Sequence, residues 1–285
     1  MHFTDLGGHS GCKILLCETD DNKTFVRKVS GSKEYNIRLK LQAEKQKKYK
    51  CNSIKAPEVL DTGMTENGLF YFDMEYIQGI TLSEYMKTIE VGKERSLVEA
   101  IVHNVVAINV TDEGGVVDET IFIDKIRSLQ NKLTPHNNET INRAIAMLRS
   151  HSWKRFCKTS CHGDLTLENI IVKDGQLYLI DFLDSFYDCW IMDISTLMQD
   201  VQTMWSYRYQ DEMNINTLLR LIVFRDILMD EVRNIAPEDY IEVYYALLLK
   251  LIRIYPYTKD DRTYRFLNDK TESIMRIIEK EEGAK

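Results

Sequence analysis

Three side chains with hard oxygen atoms stand close together in one stretch of the sequence. They are Asp164 and Asn169 in His162-Gly163-Asp164-Leu165-Thr166-Leu167-Glu168-Asn169-Ile170-Ile171-Val172, and Asp181 in Leu179-Ile180-Asp181-Phe182. A carboxylate can orient a hydroxyl group and accept its proton. Magnesium takes oxygen ligands, commonly one or two side chains completed by phosphate oxygens and water. Asp164 as base, with Asn169 and Asp181 as ligands, therefore makes a set suited to phosphoryl transfer. A set of this kind works only if the three side chains face one cleft. Lys173-Asp174-Gly175 is a turn signal between two apolar runs, Asn169–Val172 and Leu177–Phe182. A hairpin there returns Asp181 to the neighbourhood of Asn169.

The elements around this block divide the chain in character. Lys13–Glu18 and Thr24–Val29 read as a strand pair joined by a turn, Tyr35–Tyr49 as a helix, and Lys55–Leu60 and Leu69–Tyr76 as two further strands. Turn signals fall at Asp61-Thr62-Gly63 and Glu66-Asn67-Gly68. After Gly79 the pattern becomes helical: Thr81–Ile89, Leu97–Val110, Ile121–Leu133 and Glu139–Phe156, then most of the chain beyond Ile191. The expected fold class is α+β, with a small β-rich N-terminal lobe over 1–77 and a larger helical C-terminal lobe over 78–285, joined near Glu75–Gly79.

Composition narrows the function classes. The 285 residues are 44% hydrophobic and 28% charged, enough for a sizeable core and against wholesale disorder. The formal charge of -7 disfavours a nucleic-acid-binding surface. No apolar run is long enough to span a bilayer, and Met1–Gly11 is polar and glycine-rich, unlike a signal peptide. The six cysteines form no Cys-x-x-Cys pair and read as ordinary thiols of a cytoplasmic protein. Adjacent Cys161 and His162 are poor evidence for zinc without further ligands.

The signature His-Gly-Asp, four residues, Asn, then Ile-Asp-Phe resembles that of the aminoglycoside phosphotransferase and choline kinase group of the protein kinase-like superfamily. Protein kinases usually carry Arg at the place of Gly163 and Lys or Arg at that of Thr166. The resemblance implies a bilobal kinase-like fold that binds ATP and Mg2+, with Asp164 as catalytic base and Asn169 and Asp181 as metal ligands. Leu6-Gly7-Gly8-His9-Ser10-Gly11 resembles a kinase glycine-rich loop through Gly8 and Gly11, with Ser10 between them. Leu6 stands for the first glycine, and Lys13 for an apolar residue that Ile14 replaces if the loop is one residue longer. By the same resemblance Val26 meets the adenine face and Lys28 the α- and β-phosphates. Glu44 pairs with Lys28, Glu34 being the competing partner. The Glu75 carbonyl and Ile77 amide bond the base. Asp193 and His162 brace the catalytic loop.

The substrate is less legible. Asp184 and Asp188 face either a cationic substrate or water. Trp205, Tyr207 and Tyr209 either line a pocket or pack helices, and Asp211 and Glu212 are further acidic candidates. Lys40, Lys45, Lys47, Lys48 and Lys50 read as a solvated face rather than a docking site. The segment between Asp181 and Asp193 is too short for a protein-kinase activation segment, and no Ala-Pro-Glu ends it. The expectation is therefore a small-molecule kinase acting on a hydroxyl of a sugar, polyol, amino-alcohol or aminoglycoside. The run Ile180–Phe186 resembles phosphotransferases of bacterial surface-polysaccharide synthesis. The alternatives are a protein-modifying enzyme on this fold or a non-catalytic pseudokinase, the latter disfavoured because Lys28, Asp164, Asn169 and Asp181 are all present.

Overall fold

The computed structural model describes residues 2–7, 11–50, 53–90, 92–110, 117–133, 138–210 and 212–283. They form an α+β protein with a sheet-rich N-terminal part and a helical C-terminal part. Its contacts divide the chain into two units, Met1–Tyr85 with His162–Phe186, and Met86–Cys161 with Tyr187–Lys285. The segment 162–186, expected in the second domain of a chain divided at 77/78, thus belongs with the first 85 residues. The reason is local: its hairpin completes a small sheet with strands from that region.

In the first unit the described strands are β1 (His2–Asp5), β2 (Cys12–Glu18), β3 (Thr24–Ser30), β4 (Ile54–Lys55), β5 (Val59–Met64), β6 (Phe70–Glu75), β7 (Ile80–Thr81), β8 (Ile170–Lys173) and β9 (Gln176–Leu179), with helices α1 (Asn36–Lys48) and α2 (Leu82–Tyr85). A five-stranded antiparallel sheet has the order β1-β2-β3-β6-β5, and a four-stranded sheet the order β4-β9-β8-β7. The polar sequence of β1 does not signal a strand; its four residues are exposed, and it is held as an edge by pairing with β2. The expected turn at Asp61-Thr62-Gly63 lies inside β5 instead. Gly63 pairs with Tyr71, and a Cβ there would come within 2.7 Å of the Tyr71 hydroxyl, so this glycine admits a cross-strand ring. The chain turns later, where Gly68 N–H donates to the Thr65 carbonyl.

Alternation along β3 places the functional face. Val26, Lys28 and Ser30 are buried, while Arg27 points the other way and pairs with Asp73 at 2.7 Å, under a cation–π contact of 4.1 Å to Tyr71. Arg27 and Asp73 are also register partners, so the ion pair fixes the β3–β6 alignment and with it the direction of Lys28. α1 packs on this sheet through Leu39, Ala43 and Gln46. The Gln46 amide donates to the Pro57 carbonyl at 2.9 Å. The apolar core here gathers Leu39, Ala43, Phe70, Phe72 and Met74.

The second unit contains α3 (Glu94–Val102), α4 (Thr120–Leu133), α5 (Glu139–Ser150), α6 (Trp190–Val201), α7 (Ile215–Ile235), α8 (Tyr240–Ile254) and α9 (Asp261–Gly283). α5 ends earlier than expected, because His151 turns to an extended conformation with φ −73 and ψ 144. Its N-terminus is capped by Asn138, whose side chain accepts from the Ile141 amide. Beyond it Trp153 stacks on Phe122 with ring centroids 4.5 Å apart, and Phe156 and Tyr187 close the cluster. Phe122 is fully buried. Phe122→Ala is expected to destabilise the fold by about 3–5 kcal/mol, the usual cost of emptying an aromatic site. A urea titration of native and variant chains reads this directly; a change below about 1 kcal/mol would mean that the cluster collapses to refill the space.

Candidate active site

The stretch from His162 to Asn169 alternates between burial and exposure to the cleft. His162, Leu165 and Leu167 are buried, while Asp164, Thr166 and Asn169 line the cleft. Three bonds stitch this loop to the chain around Asp181. The Ile180 amide donates to the Asn169 carbonyl at 3.0 Å, the His162 Nε2 donates to the Ile180 carbonyl at 2.8 Å, and the Leu183 amide donates to the His162 carbonyl at 3.1 Å. A carbonyl can only accept, so the proton of the imidazole sits on Nε2. This leaves Nδ1 to accept the Asp164 amide at 3.3 Å. His162 thus has the bracing geometry expected of it.

Gly163 is required by close approach. Its φ is +94°, and a Cβ would lie 2.4 Å from the Leu183 carbonyl oxygen. Gly163→Ala is expected to cost at least about 1–3 kcal/mol from backbone strain alone. It should also displace the chain between Asp181 and Asp184, lowering any activity of the site more than it lowers the melting temperature. A variant with native stability and native nucleotide binding would contradict this.

Within the stitched frame the three oxygen-bearing side chains come together. Asn169 Nδ2 donates to the Asp164 carbonyl at 2.8 Å and to the Asp164 carboxylate at 3.2 Å. This orientation leaves Asn169 Oδ1, a hard oxygen, for a metal. Asp181 has φ +60°, rare for a side-chain-bearing residue and typical of functional positions. Its Oδ1 forms an ion pair with Lys28 Nζ. Lys28 is almost fully buried, whereas Asp181 keeps 27% exposure. No cluster of three or more His, Cys, Asp or Glu suited to a metal occurs among the described residues. The Asp181 carboxylate and the Asn169 amide oxygen are hard-oxygen donors of the kind magnesium takes, its remaining sites being filled by phosphate and water.

These groups line a cleft of about 770 Å³. Val26, Ile14, Met74 and Glu75 come from the five-stranded sheet, Ile171 from the β8–β9 hairpin with Ile180 just after it, and Ile77 from the chain beyond β6. The expected nucleotide-binding residues Val26, Lys28, Glu75 and Ile77 are thus all on its wall. Gly8 and Ser10 lie outside the described residues. Gly11 is exposed at the start of β2 and is not among the residues lining the cleft, which Leu6 and Gly7 reach instead.

The pairing of Lys28 with Glu44 does not occur. Glu44 is exposed on α1, and the helix presents Gln42 to Lys28, with Oε1 accepting from Nζ at 3.2 Å. Two residues along a helix is about 200° of rotation, so the two side chains cannot share a face. Arg38 and Gln42, missed in the sequence, and Lys45, expected on a solvated face, form a stripe at i, i+4 and i+7 that holds the chain after Asp181. Arg38 and Gln42 bond the Asp184 carboxylate, and Lys45 Nζ donates to the Leu183 carbonyl at 2.9 Å. Lys45 is thus not part of a solvated face. Nor does Asp184 stand in water: burial pushes its carboxyl up, but the Arg38 and Gln42 hydrogen bonds outweigh this and hold it below its ordinary value. Glu168, also missed, reaches the cleft and accepts a hydrogen bond from Ser83.

The remaining candidates belong to the second unit. Buried Asp193 accepts from the Cys161 thiol at 3.2 Å. The Arg208 guanidinium lies over Trp205 and Tyr209, at 3.9 and 4.4 Å, and Tyr207 is buried. One face of each of those two rings is thus already covered by a cation. The carbonyl of Asp188 accepts from the Thr159 amide at 3.2 Å. Glu212 is exposed, and Asp211 lies outside the described residues. No helix among the described residues is long and apolar enough to cross a membrane.

The profile of the phosphotransferase enzyme family matches residues 15–220, well over half of the chain and including every described cleft residue from Val26 to Asp181. The chain belongs to this family. No curated protein matches it significantly in sequence. Among solved structures, a thermostable mutant of aminoglycoside phosphotransferase APH(4)-Ia, in a ternary complex with AMP-PNP and hygromycin B, shares the fold with a TM-score of 0.60 at 15% identity, covering 96% of this chain and 93% of that one. Choline kinase from Cryptosporidium parvum gives 0.57 at 11% identity, covering 98% and 89%. A choline/ethanolamine kinase family protein from Mesorhizobium loti gives 0.56 at 14% identity, covering 98% and 88%. At these identities the likeness is one of fold, the protein kinase-like fold.

Proposed function

We propose that this phosphotransferase moves the γ-phosphate of ATP to a hydroxyl group of a small molecule, with Asp164 as base. The observation that carries the reading is the convergence of Lys28, Asp164, Asn169 and Asp181 on one cleft with an apolar wall. Val26, Ile14, Ile171 and Ile180 offer flat apolar contact to a base, and the 75–77 backbone offers hydrogen bonds at its edge. Lys28 is placed to bind phosphate oxygens. Asn169 Oδ1 and the Asp181 carboxylate would hold magnesium, which supplies charge neutralisation between the phosphates. Asp164 orients the acceptor hydroxyl and takes its proton. Catalysis is then chiefly positioning and charge stabilisation.

The acceptor class is a sugar, polyol, amino-alcohol or aminoglycoside. The relatives named above support it: one holds hygromycin B in its complex, and another is a choline kinase. The resemblance of Ile180–Phe186 to enzymes of surface-polysaccharide synthesis keeps precursor sugars of such polymers among the acceptors. Nucleotide use is tested without knowing the acceptor. ATP binding measured by calorimetry should strengthen with magnesium and weaken in Asp181→Asn. Binding that ignores both magnesium and residue 181 would remove these residues from the metal role.

A further inference from the structure

We propose that Gln42 is a positioning residue of the phosphate-binding site, fixing the Lys28 ammonium and the turn after Asp181 through a single amide. This rests on the phosphotransfer reading above and adds a residue to it. Gln42 is buried in the middle of α1. Its Oε1 accepts from Lys28 Nζ at 3.2 Å, and its Nε2 donates to Asp184 Oδ1 and to the Tyr35 hydroxyl, each at 3.1 Å.

The chemistry of the neighbours allows one orientation only. An ammonium has no acceptor, and an ionised carboxylate has no donor. The residue between Lys28 and Asp184 must therefore accept on one side and donate on the other. Glutamine does both. Glutamate would serve Lys28 but place a second carboxylate against Asp184, with no proton to offer. A hydrocarbon would leave both partners short of a bond.

The neutral amide has a second consequence. It anchors Lys28 without neutralising it, so the ammonium keeps its full charge for the cleft. Among the described residues the carboxylate it touches is Asp181, itself a cleft residue. Through Asp184, the same amide ties Lys28 to the segment just beyond Asp181, where Arg38 completes the carboxylate's bonds at 2.8 and 3.2 Å. Placement of the phosphate-facing cation and placement of the metal-facing carboxylate are thus set by one side chain.

The test is calorimetric binding of AMP-PNP with magnesium to the native chain and to Gln42→Glu, Gln42→Met, Asp184→Asn and the double variant Gln42→Glu/Asp184→Asn, each checked for folding by its melting curve. Gln42→Glu is expected to weaken binding about tenfold, because the new carboxylate faces that of Asp184 with no proton to offer and the repulsion displaces the Lys28 ammonium and the turn after Asp181. In the double variant the new amide at position 184 can donate to the new carboxylate at position 42. It should therefore bind more tightly than Gln42→Glu alone, within about threefold of the native chain. Gln42→Met, which removes both bonds and adds no charge, should bind more weakly than native even if Gln42→Glu does not fold. Native-strength or tighter binding by folded Gln42→Glu, a double variant no better than Gln42→Glu, or native binding by Gln42→Met would overturn the proposal. Failure of the native chain to bind would instead overturn the nucleotide reading beneath it, and the two failures are distinguished by that control.

Discussion

Asp164→Asn is expected to lower turnover by about 10²–10⁴-fold, the usual contribution of a positioned general base, while ATP affinity stays within about threefold of native. The separation follows from the geometry. Asp164 serves Asn169 through its main-chain carbonyl at 2.8 Å and its carboxylate at 3.2 Å. Asparagine keeps the first bond and retains an oxygen that can accept the second. What it loses is the negative charge and the ability to accept a proton. The measurement is steady-state turnover at saturating ATP, paired with calorimetric ATP binding. Turnover retained within a few-fold would remove Asp164 from the base role, and a parallel loss of binding would mean that it organises the site instead.

Lys28→Met is expected to cut kcat/KM for ATP by about 10²–10³-fold, the scale found when one preorganised donor to developing charge is removed. The fold should survive. Methionine retains most of the buried stem, and the abandoned Asp181 carboxylate can turn to water, since it is already partly exposed. Gln42 loses a donor to its Oε1 but keeps Tyr35 and Asp184. Kinetics across an ATP series, read beside melting curves, separates the cases. A large fall in kcat/KM with a melting temperature within a few degrees of native supports the phosphate-binding role. Loss of the fold would show that Lys28 is chiefly a buried structural ion.

The legible parts of the site are those written in short-range pattern. Asp164, Asn169 and Asp181 read as one set because a turn signal at Asp174-Gly175 lies between two apolar runs, and the hairpin forms there, with both residues at positive φ. The strand carrying Val26 and Lys28 is legible as a short apolar-rich run set against another across a turn. The partner of Lys28 is not. α1 buries two glutamines, Gln42 and Gln46, along with Leu39 and Ala43, so its inward face carries no clean apolar stripe. An acidic residue at 44 then attracts the assignment, although the buried positions 39, 43 and 46 already put it on the outer side. The stripe Arg38, Gln42 and Lys45 is present as a helical spacing, but its targets near Asp184 are far along the chain, and no local pattern announces them. The assignment of 162–186 is obscured for a related reason: the parallel pairing of β4 with β9 joins residues remote in sequence.

The central claim is phosphoryl transfer from ATP to a small hydroxyl compound through Asp164. It is tested most directly by mass-spectrometric detection of phosphorylated product after incubation with ATP, magnesium and a panel of sugars, polyols, amino-alcohols and aminoglycosides, with Asp164→Asn alongside. The account predicts an acceptor whose mass rises by one phosphoryl group with the native chain and stays unchanged with the variant. Phosphorylated product formed equally by both chains, or label appearing on protein rather than on any small acceptor, would contradict it.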